Sequence, residues 1–298
     1  MKMLKNIIRA LRLPFITASV LPFVFGSLIN KTQFSGLKFG LGLSAVVSMH
    51  LFANLLNDYA DSKSGADWQD KKFYGFFGGS KLIQEGVFSE KFYLGLAIFF
   101  AVISLSSVIA LTILLNDLRT VFLFAIIIGL AFSYSAKPLQ LSYHRLGELA
   151  VFLLCGPALV MGGYFIQTGI FPDLESFVLS IPFGMLVAMI LFANEVPDYL
   201  GDIKAKKFNI VSIVKPKNAF IIYILMVLMI FSAIFYGVIF GYLSLVALFS
   251  FLLIIPMIEA MNILRGHYTD KSMLIKASQL TIMVHTLASI ILILALIL

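Results

Sequence analysis

Charge is scarce in this chain. Only 12% of its 298 residues are charged, whereas 60% are hydrophobic. That balance excludes an ordinary soluble domain, in which about a quarter of the residues are charged. The mean hydropathy is +1.01, and the apolar residues are spread along the whole length. The sequence therefore predicts a polytopic membrane protein whose surroundings are the lipid bilayer.

Cysteine is scarcer still, and this excludes an internal disulfide, because Cys155 is the single cysteine. It lies in an apolar stretch, and we interpret it as a small hydrophobic residue. The net charge of +7 indicates basic loops that face the cytoplasm and anionic lipid. We therefore expect no nucleic-acid partner.

Long apolar segments are abundant, and nine of them approach the ~20 residues that a membrane-spanning helix needs. Charged or Gly/Pro-containing breaks separate them, least clearly at Asn116–Asp117 and at Gly241. We expect one all-α transmembrane domain over residues 1–298 with about nine helices. The predicted spans are Leu13–Ile29, Phe39–Leu56, Phe92–Leu115, Leu118–Tyr134, Leu149–Ile166, Phe177–Val196, Ala219–Phe240, Tyr242–Met261 and Ala277–Leu298.

The lysines and arginines test this helix count, because cytoplasmic loops carry an excess of them. When the loops are assigned alternately to the two sides, only Lys31, Lys38 and Arg119 of the 22 lie opposite the others. We therefore expect a cytoplasmic N-terminus, an external C-terminus and a cap of cytoplasmic loops, in a bacterial or archaeal plasma membrane.

The 15 acidic residues show the same asymmetry, and only Asp117, Asp173 and Glu175 lie on the external side. Positive-inside bias does not explain this, since Asp and Glu contribute little to topology. Most of the others follow the second and sixth spans. The two clusters are Asp58, Asp61, Asp67 and Asp70, and Glu195, Asp198 and Asp202.

Polar residues in each cluster recur at helical spacing, so each set shares one helix face if the second helix continues through Asp61. The sets are His50, Asn54, Asn57 and Asp61, and Asn194, Asp198 and Asp202. Both segments, 54–70 and 194–207, contain Asn-x-x-x-Asp at the end of a long apolar helix. This pattern indicates a possible internal repeat.

Carboxylates gathered at helix ends repel one another unless a positive ion lies between them. Oxygen ligands of the Asp and Asn type favour hard cations, above all Mg²⁺, whose coordination is often completed by substrate phosphates. Neighbouring lysines and arginines supply further phosphate contacts. The sequence therefore predicts a Mg²⁺–diphosphate site at the cytoplasmic mouth of a helical bundle. The alternative is solvated loop charges, which does not explain asparagines at membrane depth.

The motifs around these residues resemble those of the UbiA-type intramembrane aromatic prenyltransferases. Asn57-Asp58-Tyr59-x-Asp61-x-x-x-Gly65-x-Asp67 is similar to their first Asp-rich motif, and Asp198-x-x-x-Asp202 is similar to their second. Further motifs within roughly residues 10–215 look most like the branch that prenylates 1,4-dihydroxy-2-naphthoate for menaquinone. They are Gly78-Gly79-Ser80-Lys81-Leu-Ile-Gln84-Glu85-Gly86, Tyr134-Ser-Ala-Lys137-Pro138-Leu139, Leu146-Gly147-Glu148 and Gly156-Pro157.

The resemblance implies nine helices around a central cavity that opens sideways to lipid. It also implies Mg²⁺-dependent transfer of a polyprenyl group from a polyprenyl diphosphate to an aromatic acceptor, here 1,4-dihydroxy-2-naphthoate. In that reaction the allylic C–O bond ionises and the acceptor attacks the carbocation. Acceptors such as 4-hydroxybenzoate, haem, chlorophyllide or a glycerol phosphate lipid stay open. A membrane transporter is the alternative from another class.

The resemblance further implies roles for individual residues. The expected metal ligands are Asn57, Asp61, Asp67, Asp198 and Asp202. The expected catalytic residues are Asp58, Asp61, Asp198 and Tyr134. The expected diphosphate contacts are Asn57, Lys137, Lys204, Lys207, Ser80, Lys81 and Gln84.

Several of these residues have a second interpretation. Asp58 could instead orient its helix, and Tyr134 could only pack against its neighbours. The lysines could be solvated loop charges, and the segment around Ser80 an ordinary connector. We interpret His50 as a hydrogen-bonded core residue.

One segment departs from the family pattern. Many relatives follow the second motif with Gly-Lys-Arg-Thr, whereas this chain has Lys206-Lys207-Phe208-Asn209. Only Lys207 matches, so we expect a changed diphosphate contact or loop conformation here.

Overall fold

The computed structural model describes residues 2–65, 68, 73–75, 79–135 and 137–298. Within these ranges the regular secondary structure is helical throughout, without a strand. Seven helical spans are long and apolar enough to cross a membrane, or eight if a bent first pair counts as one span. The all-α prediction is confirmed, and the chain is an integral membrane protein.

The helices are numbered here in chain order. They are α1 (Lys2–Ala10), α2 (Thr17–Leu28), α3 (Gly36–Ser64), α4 (Glu90–Leu115), α5 (Arg119–Ser135), α6 (Gly147–Cys155), α7 (Pro157–Thr168), α8 (Leu174–Lys204), α9 (Ile210–Val214), α10 (Ala219–Ile239), α11 (Ile254–Gly266) and α12 (Lys271–Ile297). Each of the nine predicted spans overlaps one or two of these helices. The count of nine is nevertheless approximate, because α5 has only 17 residues.

Three predicted spans are not continuous α-helices. The first, Leu13–Ile29, begins with a 3₁₀ turn at Leu13–Phe15 before α2, and α1 precedes this turn with a bend of 42°. The fifth breaks between α6 and α7 at Pro157, which cannot donate the backbone hydrogen bond that would continue a helix. The eighth begins as a 3₁₀ helix, Leu245–Leu253, before α11. Mean hydropathy does not register the breaks in the fifth and eighth spans, because the residues on both sides are apolar.

Helix α8 forms the centre of the bundle. Its most apolar window is 78% buried, against 22% for α4, and it packs against α6, α7, α10 and α12. Phe183, Leu186, Met189 and Phe192 are completely buried along it. The second Asp-rich motif therefore ends the helix that its neighbours hold most firmly.

The three cations assigned to the external side lie together. Each donates a hydrogen bond to a backbone carbonyl at the same end of the bundle: Lys31 to Ile297 at 2.9 Å, Lys38 to Gln167 at 3.2 Å and Arg119 to Gly169 at 3.0 Å. The Asp-rich motifs end α3 and α8 at the other end, which we call the motif end. The alternation of helix directions agrees with the loop assignment, and the cytoplasmic orientation of the motif end stays a prediction.

Small residues allow α2 and α7 to approach closely. A Cβ atom on Gly163 would lie 2.7 Å from the Phe23 carbonyl oxygen and 2.8 Å from the Ser27 amide nitrogen. Gly26 of α2 faces the backbone of Val160 in the same way. Close backbone packing of this kind is common between membrane helices. It fixes α2, which forms part of the wall of the cavity described below.

Replacing Gly163 by alanine should push α2 and α7 apart, because backbone atoms of Phe23 and Ser27 cannot move aside as a flexible side chain would. We expect Gly163→Ala to destabilise the protein by about 1–3 kcal/mol, measured as a lower thermal unfolding temperature in detergent. The matched control is Gly162→Ala, because a Cβ there meets no atom within 4 Å. Equal unfolding temperatures for the two variants would contradict this packing.

Candidate active site

A cavity of about 1080 Å³ opens at the motif end of the bundle. Residues of α1, α2, α3, α5, α6 and α8 line it, together with the start of α12. Along α8 its wall changes from apolar residues, such as Val187 and Leu191, to the carboxylates Asp198 and Asp202. The cavity therefore joins an apolar chamber to a polar mouth.

The first group of oxygen atoms at the mouth comes from α3. This helix runs for 29 residues, through Asp61 to Ser64, and it is followed by Gly65 in the left-handed conformation, φ 82°. The prediction that the helix continues through Asp61 is therefore confirmed. Asn57 and Asp61 both line the cavity, and the Asn57 amide nitrogen donates to an Asp61 carboxylate oxygen at 3.2 Å.

The second group comes from the end of α8, where Asp198 and Asp202 line the same mouth. Asp202 accepts a hydrogen bond of 2.8 Å from the Asn209 amide, and its other oxygen lies 3.5 Å from the Lys207 ammonium. Burial lowers the pKa of Lys207, but the surrounding acidic groups, Asp202 foremost, together outweigh burial and raise the pKa above its usual value. Lys207 therefore stays positively charged in the mouth.

The donors at the mouth fit Mg²⁺, which prefers carboxylate and amide oxygens. Among the described residues, no three His, Cys, Asp or Glu side chains converge closely enough to hold an ion by themselves. An ion at either group would therefore take further oxygen ligands from water or from a bound phosphate. This is the usual coordination of Mg²⁺ in phosphate-handling sites.

Asp58 lies apart from these carboxylates and is not part of the cavity lining. Its side chain is buried, forms an ion pair with Arg12 and accepts a 3.2 Å hydrogen bond from the Ser80 amide. The Ser80 hydroxyl in turn shares a 2.7 Å hydrogen bond with the Tyr93 hydroxyl. These contacts favour the alternative in which Asp58 orients its helix, and a direct catalytic role stays a prediction.

Four other residues predicted from the motifs line the cavity. Ser80 and Lys81 are buried in its wall, Tyr134 belongs to the wall from α5, and Lys204 is exposed at the mouth. Lys81 adopts a left-handed backbone conformation, φ 60°, in the segment that Asp58 ties to α3. The structure therefore brings the Ser80–Lys81 segment, the end of α8 and α5 to the same cavity.

Besides Asp58, three further predicted residues are not found in this lining. Lys137 is exposed in the turn after α5, and the side chain of Gln84 is half-buried outside the lining. Asp67 lies outside the described residues. The roles assigned to these three residues stay predictions.

The sequence motifs did not predict that basic residues near both ends of the chain line the cavity. Lys5, Arg9 and Arg12, from α1 and the turn after it, line the cavity, and so does Lys271, the first residue of α12. Arg9 also forms a two-point ion pair with Glu85 at 2.6 and 3.0 Å. In the sequence these residues indicated only membrane topology, because no motif includes them.

The segment that departs from the family pattern keeps a regular conformation. Lys206 has a φ of 56°, in the left-handed region that glycine adopts most easily. The Asn209 side chain caps α9 by accepting a 2.9 Å hydrogen bond from the Ser212 amide, a role that threonine also performs. Lysine and asparagine therefore occupy a backbone that Gly and Thr also favour, and a diphosphate contact or loop conformation that differs from the family's stays a prediction.

Comparisons with known proteins agree with this geometry. The model of the UbiA prenyltransferase family matches residues 19–295. A "UbiA prenyltransferase domain-containing protein 1" from Dictyostelium discoideum is 27% identical over 231 residues, 74% of this chain and 67% of that protein. The 1,4-dihydroxy-2-naphthoate octaprenyltransferase of Bacillus subtilis (strain 168) is 25% identical over 207 residues, 68% of this chain and 64% of that protein. The chain thus aligns with about two thirds of the length of these relatives.

Solved structures share the fold over almost the whole chain. A UbiA homolog from Aeropyrum pernix K1 superposes with a TM-score of 0.69 at 18% identity, covering 94% of this chain and 96% of that one. A homolog from Archaeoglobus fulgidus, bound to GPP and Mg²⁺, has a TM-score of 0.57 at 15% identity and covers 97% and 99%. Because the family model extends over nearly all nine predicted spans, the chain belongs to the UbiA prenyltransferase family.

Proposed function

We propose that this UbiA-family prenyltransferase transfers a polyprenyl group from a polyprenyl diphosphate to an aromatic acceptor, 1,4-dihydroxy-2-naphthoate, in a Mg²⁺-dependent reaction. The observation that carries the proposal is one cavity with oxygen donors and lysines at its mouth and apolar residues beyond them. The choice of acceptor is supported by the names of two relatives at 25% identity, the Bacillus enzyme and a 2-carboxy-1,4-naphthoquinone phytyltransferase from Synechocystis.

The diphosphate belongs at the mouth. Asn57 and Asp61 on α3, and Asp198 and Asp202 on α8, would hold Mg²⁺ against its oxygens. Bound there, Mg²⁺ supplies positive charge that stabilises the diphosphate as it leaves. Lys207 lies beside Asp202 and adds a charge-assisted contact that stays available because its pKa is raised.

The apolar chamber protects the cation that forms when the allylic C–O bond breaks and the electron pair leaves with the diphosphate. Residues such as Val187 and Leu191 keep water from reacting with it. The ring of Tyr134 belongs to the same wall, and an aromatic face attracts positive charge. The acceptor ring then donates π electrons to the cation to form the new C–C bond, and the substituted ring carbon loses a proton, or its carboxylate as CO₂, which restores aromaticity.

The prenyl tail requires access to lipid. Phe132 of α5 lines the cavity and is 56% exposed. Apart from Thr120, the described side chains of α5 are not fully buried. This thin wall favours a path by which the apolar tail extends sideways from the cavity into the bilayer.

The activity is tested with the purified full chain in liposomes, supplied with Mg²⁺, geranylgeranyl diphosphate and a panel of acceptors. We expect mass spectrometry to detect prenylated 1,4-dihydroxy-2-naphthoate, to lose the product on addition of EDTA and to recover it with excess Mg²⁺. Product from a different acceptor alone would overturn the acceptor assignment. Undiminished product in EDTA would overturn the metal requirement.

Removing one carboxylate charge from either group should impair diphosphate departure while leaving the helix intact. We expect Asp61→Asn and Asp198→Asn each to lower kcat by ~10²–10³-fold, as the loss of one electrostatic contact to a leaving group does. Asp117→Asn is the matched control, because Asp117 pairs with Arg119 at the opposite end of the bundle. Equal activity of all three variants would show that the motif carboxylates do not act on the diphosphate.

Variants of two adjacent lysines distinguish a direct diphosphate contact in the cavity from a general effect of surface charge. Lys207 lines the cavity, whereas Lys206 is exposed outside the lining. We expect Lys207→Gln to raise the KM for the prenyl diphosphate by roughly 10-fold or more, since hydrogen bonds to charged groups are worth ~1.5–3 kcal/mol. Lys206→Gln should leave this KM unchanged, and equal effects would indicate only long-range charge.

A further inference from the structure

One buried nitrogen atom in the cavity wall has no role in the mechanism above. His50 lies on α3, seven residues before Asn57, and lines the cavity. Its Nδ1 atom is 2.7 Å from the Ser19 hydroxyl of α2, which fixes the ring. Its Nε2 atom is buried and makes no hydrogen bond with any described residue. Our interpretation of His50 as a hydrogen-bonded core residue therefore accounts for only one of its two nitrogens.

The position of His50 separates it from the diphosphate. Seven helical residues span roughly 10 Å along the helix axis, so His50 lies about two turns deeper in the cavity than Asn57. On α8, Leu191 lies seven residues before Asp198 and belongs to the same lining. Ala18 and Val187 add further apolar surface to the chamber. His50 thus places an unpartnered polar atom in the wall of a largely apolar chamber.

A buried polar atom without a partner is unfavourable, and a ligand oxygen that bonds to it removes that penalty. The prenyl tail has no polar atom, and the diphosphate is held at the mouth. The remaining reactant, an aromatic ring with oxygen substituents, has both the apolar faces and the polar edge that this position requires. A neutral imidazole nitrogen can bond to a hydroxyl group as donor or as acceptor, depending on its tautomer.

We propose that His50 recognises the aromatic acceptor through a hydrogen bond between its Nε2 atom and a ring hydroxyl. The ring then lies between His50 and the reacting carbon of the prenyl group, with its other face against apolar residues of α8. This assignment rests on the proposed function and adds the residue that selects and orients the acceptor. Sites that bond to a substrate hydroxyl discriminate strongly against analogues that lack it.

The test compares His50→Leu, which removes both nitrogens, with His50→Gln, which keeps a hydrogen-bonding group of similar length. In the liposome assay we expect His50→Leu to raise the KM for 1,4-dihydroxy-2-naphthoate about tenfold, as loss of one hydrogen bond does. The KM for geranylgeranyl diphosphate should stay unchanged. His50→Gln should recover most of the loss, which a purely structural role of the ring would not produce.

Acceptor analogues show which oxygen is bonded. The wild type should bind 1-hydroxy-2-naphthoate or 4-hydroxy-2-naphthoate, each lacking one hydroxyl, more weakly than the dihydroxy compound. His50→Leu should bind the sensitive analogue and the parent compound equally. Unchanged discrimination in His50→Leu would overturn the inference, provided that its unfolding temperature matches that of the wild type. If His50→Leu unfolds at a lower temperature than the wild type, the test passes to His50→Gln, and a loss of acceptor affinity there as large as in His50→Leu would overturn the inference.

Titration calorimetry of the acceptor against each variant separates this inference from the proposed function. Weaker binding by His50→Leu supports acceptor recognition even where no product forms. Equal binding by the variant and the wild type, or no binding to either, overturns it. Failure of the wild type to prenylate any acceptor in the panel overturns the proposed function instead.

Discussion

A charge inside a bilayer is tolerated only where another charge, a polar group or water meets it, and this constraint determines where the site lies. The carboxylates of α3 and α8 occur in the last turns of helices whose preceding residues are apolar. Each group has a local partner, since Asn57 donates to Asp61 and Asn209 donates to Asp202. A diphosphate can therefore be held by charge at the membrane surface while its prenyl tail stays in the apolar chamber.

The same constraint links the site to the packing of the bundle. Helix α8 is buried along most of its length, so Asp198 and Asp202 have a rigid base. The wall opposite is fixed by the Asp58 contacts, because Arg12 and the Ser80 amide both bond to that carboxylate. Asp58 thereby ties the N-terminal turn and the Lys81 segment to α3. Through these contacts, the buried Asp58 side chain supports neighbouring residues that face the cavity.

The polar faces of α3 and α8 could be predicted because helical spacing determines which residues share a face. Spacing also separated Asn57 from Asp58, because consecutive residues are about 100° apart on a helix: Asn57 lines the cavity and Asp58 pairs with Arg12. The catalytic role expected of Asp58 came from the family resemblance and not from spacing. The helix breaks at Leu13–Phe15 and Pro157 depend on local backbone geometry, which hydropathy does not report. Lys271 lines the same cavity as residues of α1, although more than two hundred residues separate them in the sequence. Only tertiary packing brings them together, so no local sequence pattern predicts it.

Under the proposed function, the two oxygen groups favour joint binding of metal and diphosphate. No described cluster supplies three or more acidic or imidazole ligands to one point, so either group alone leaves most of the coordination of a divalent ion to other molecules. A diphosphate can fill those positions, and the ion in turn neutralises its charge. By thermodynamic linkage, each must then raise the affinity of the site for the other by the same factor. A cavity lined by separated pairs of oxygens, rather than by a preformed cage, therefore favours assembly of the complete site only when the prenyl donor is present.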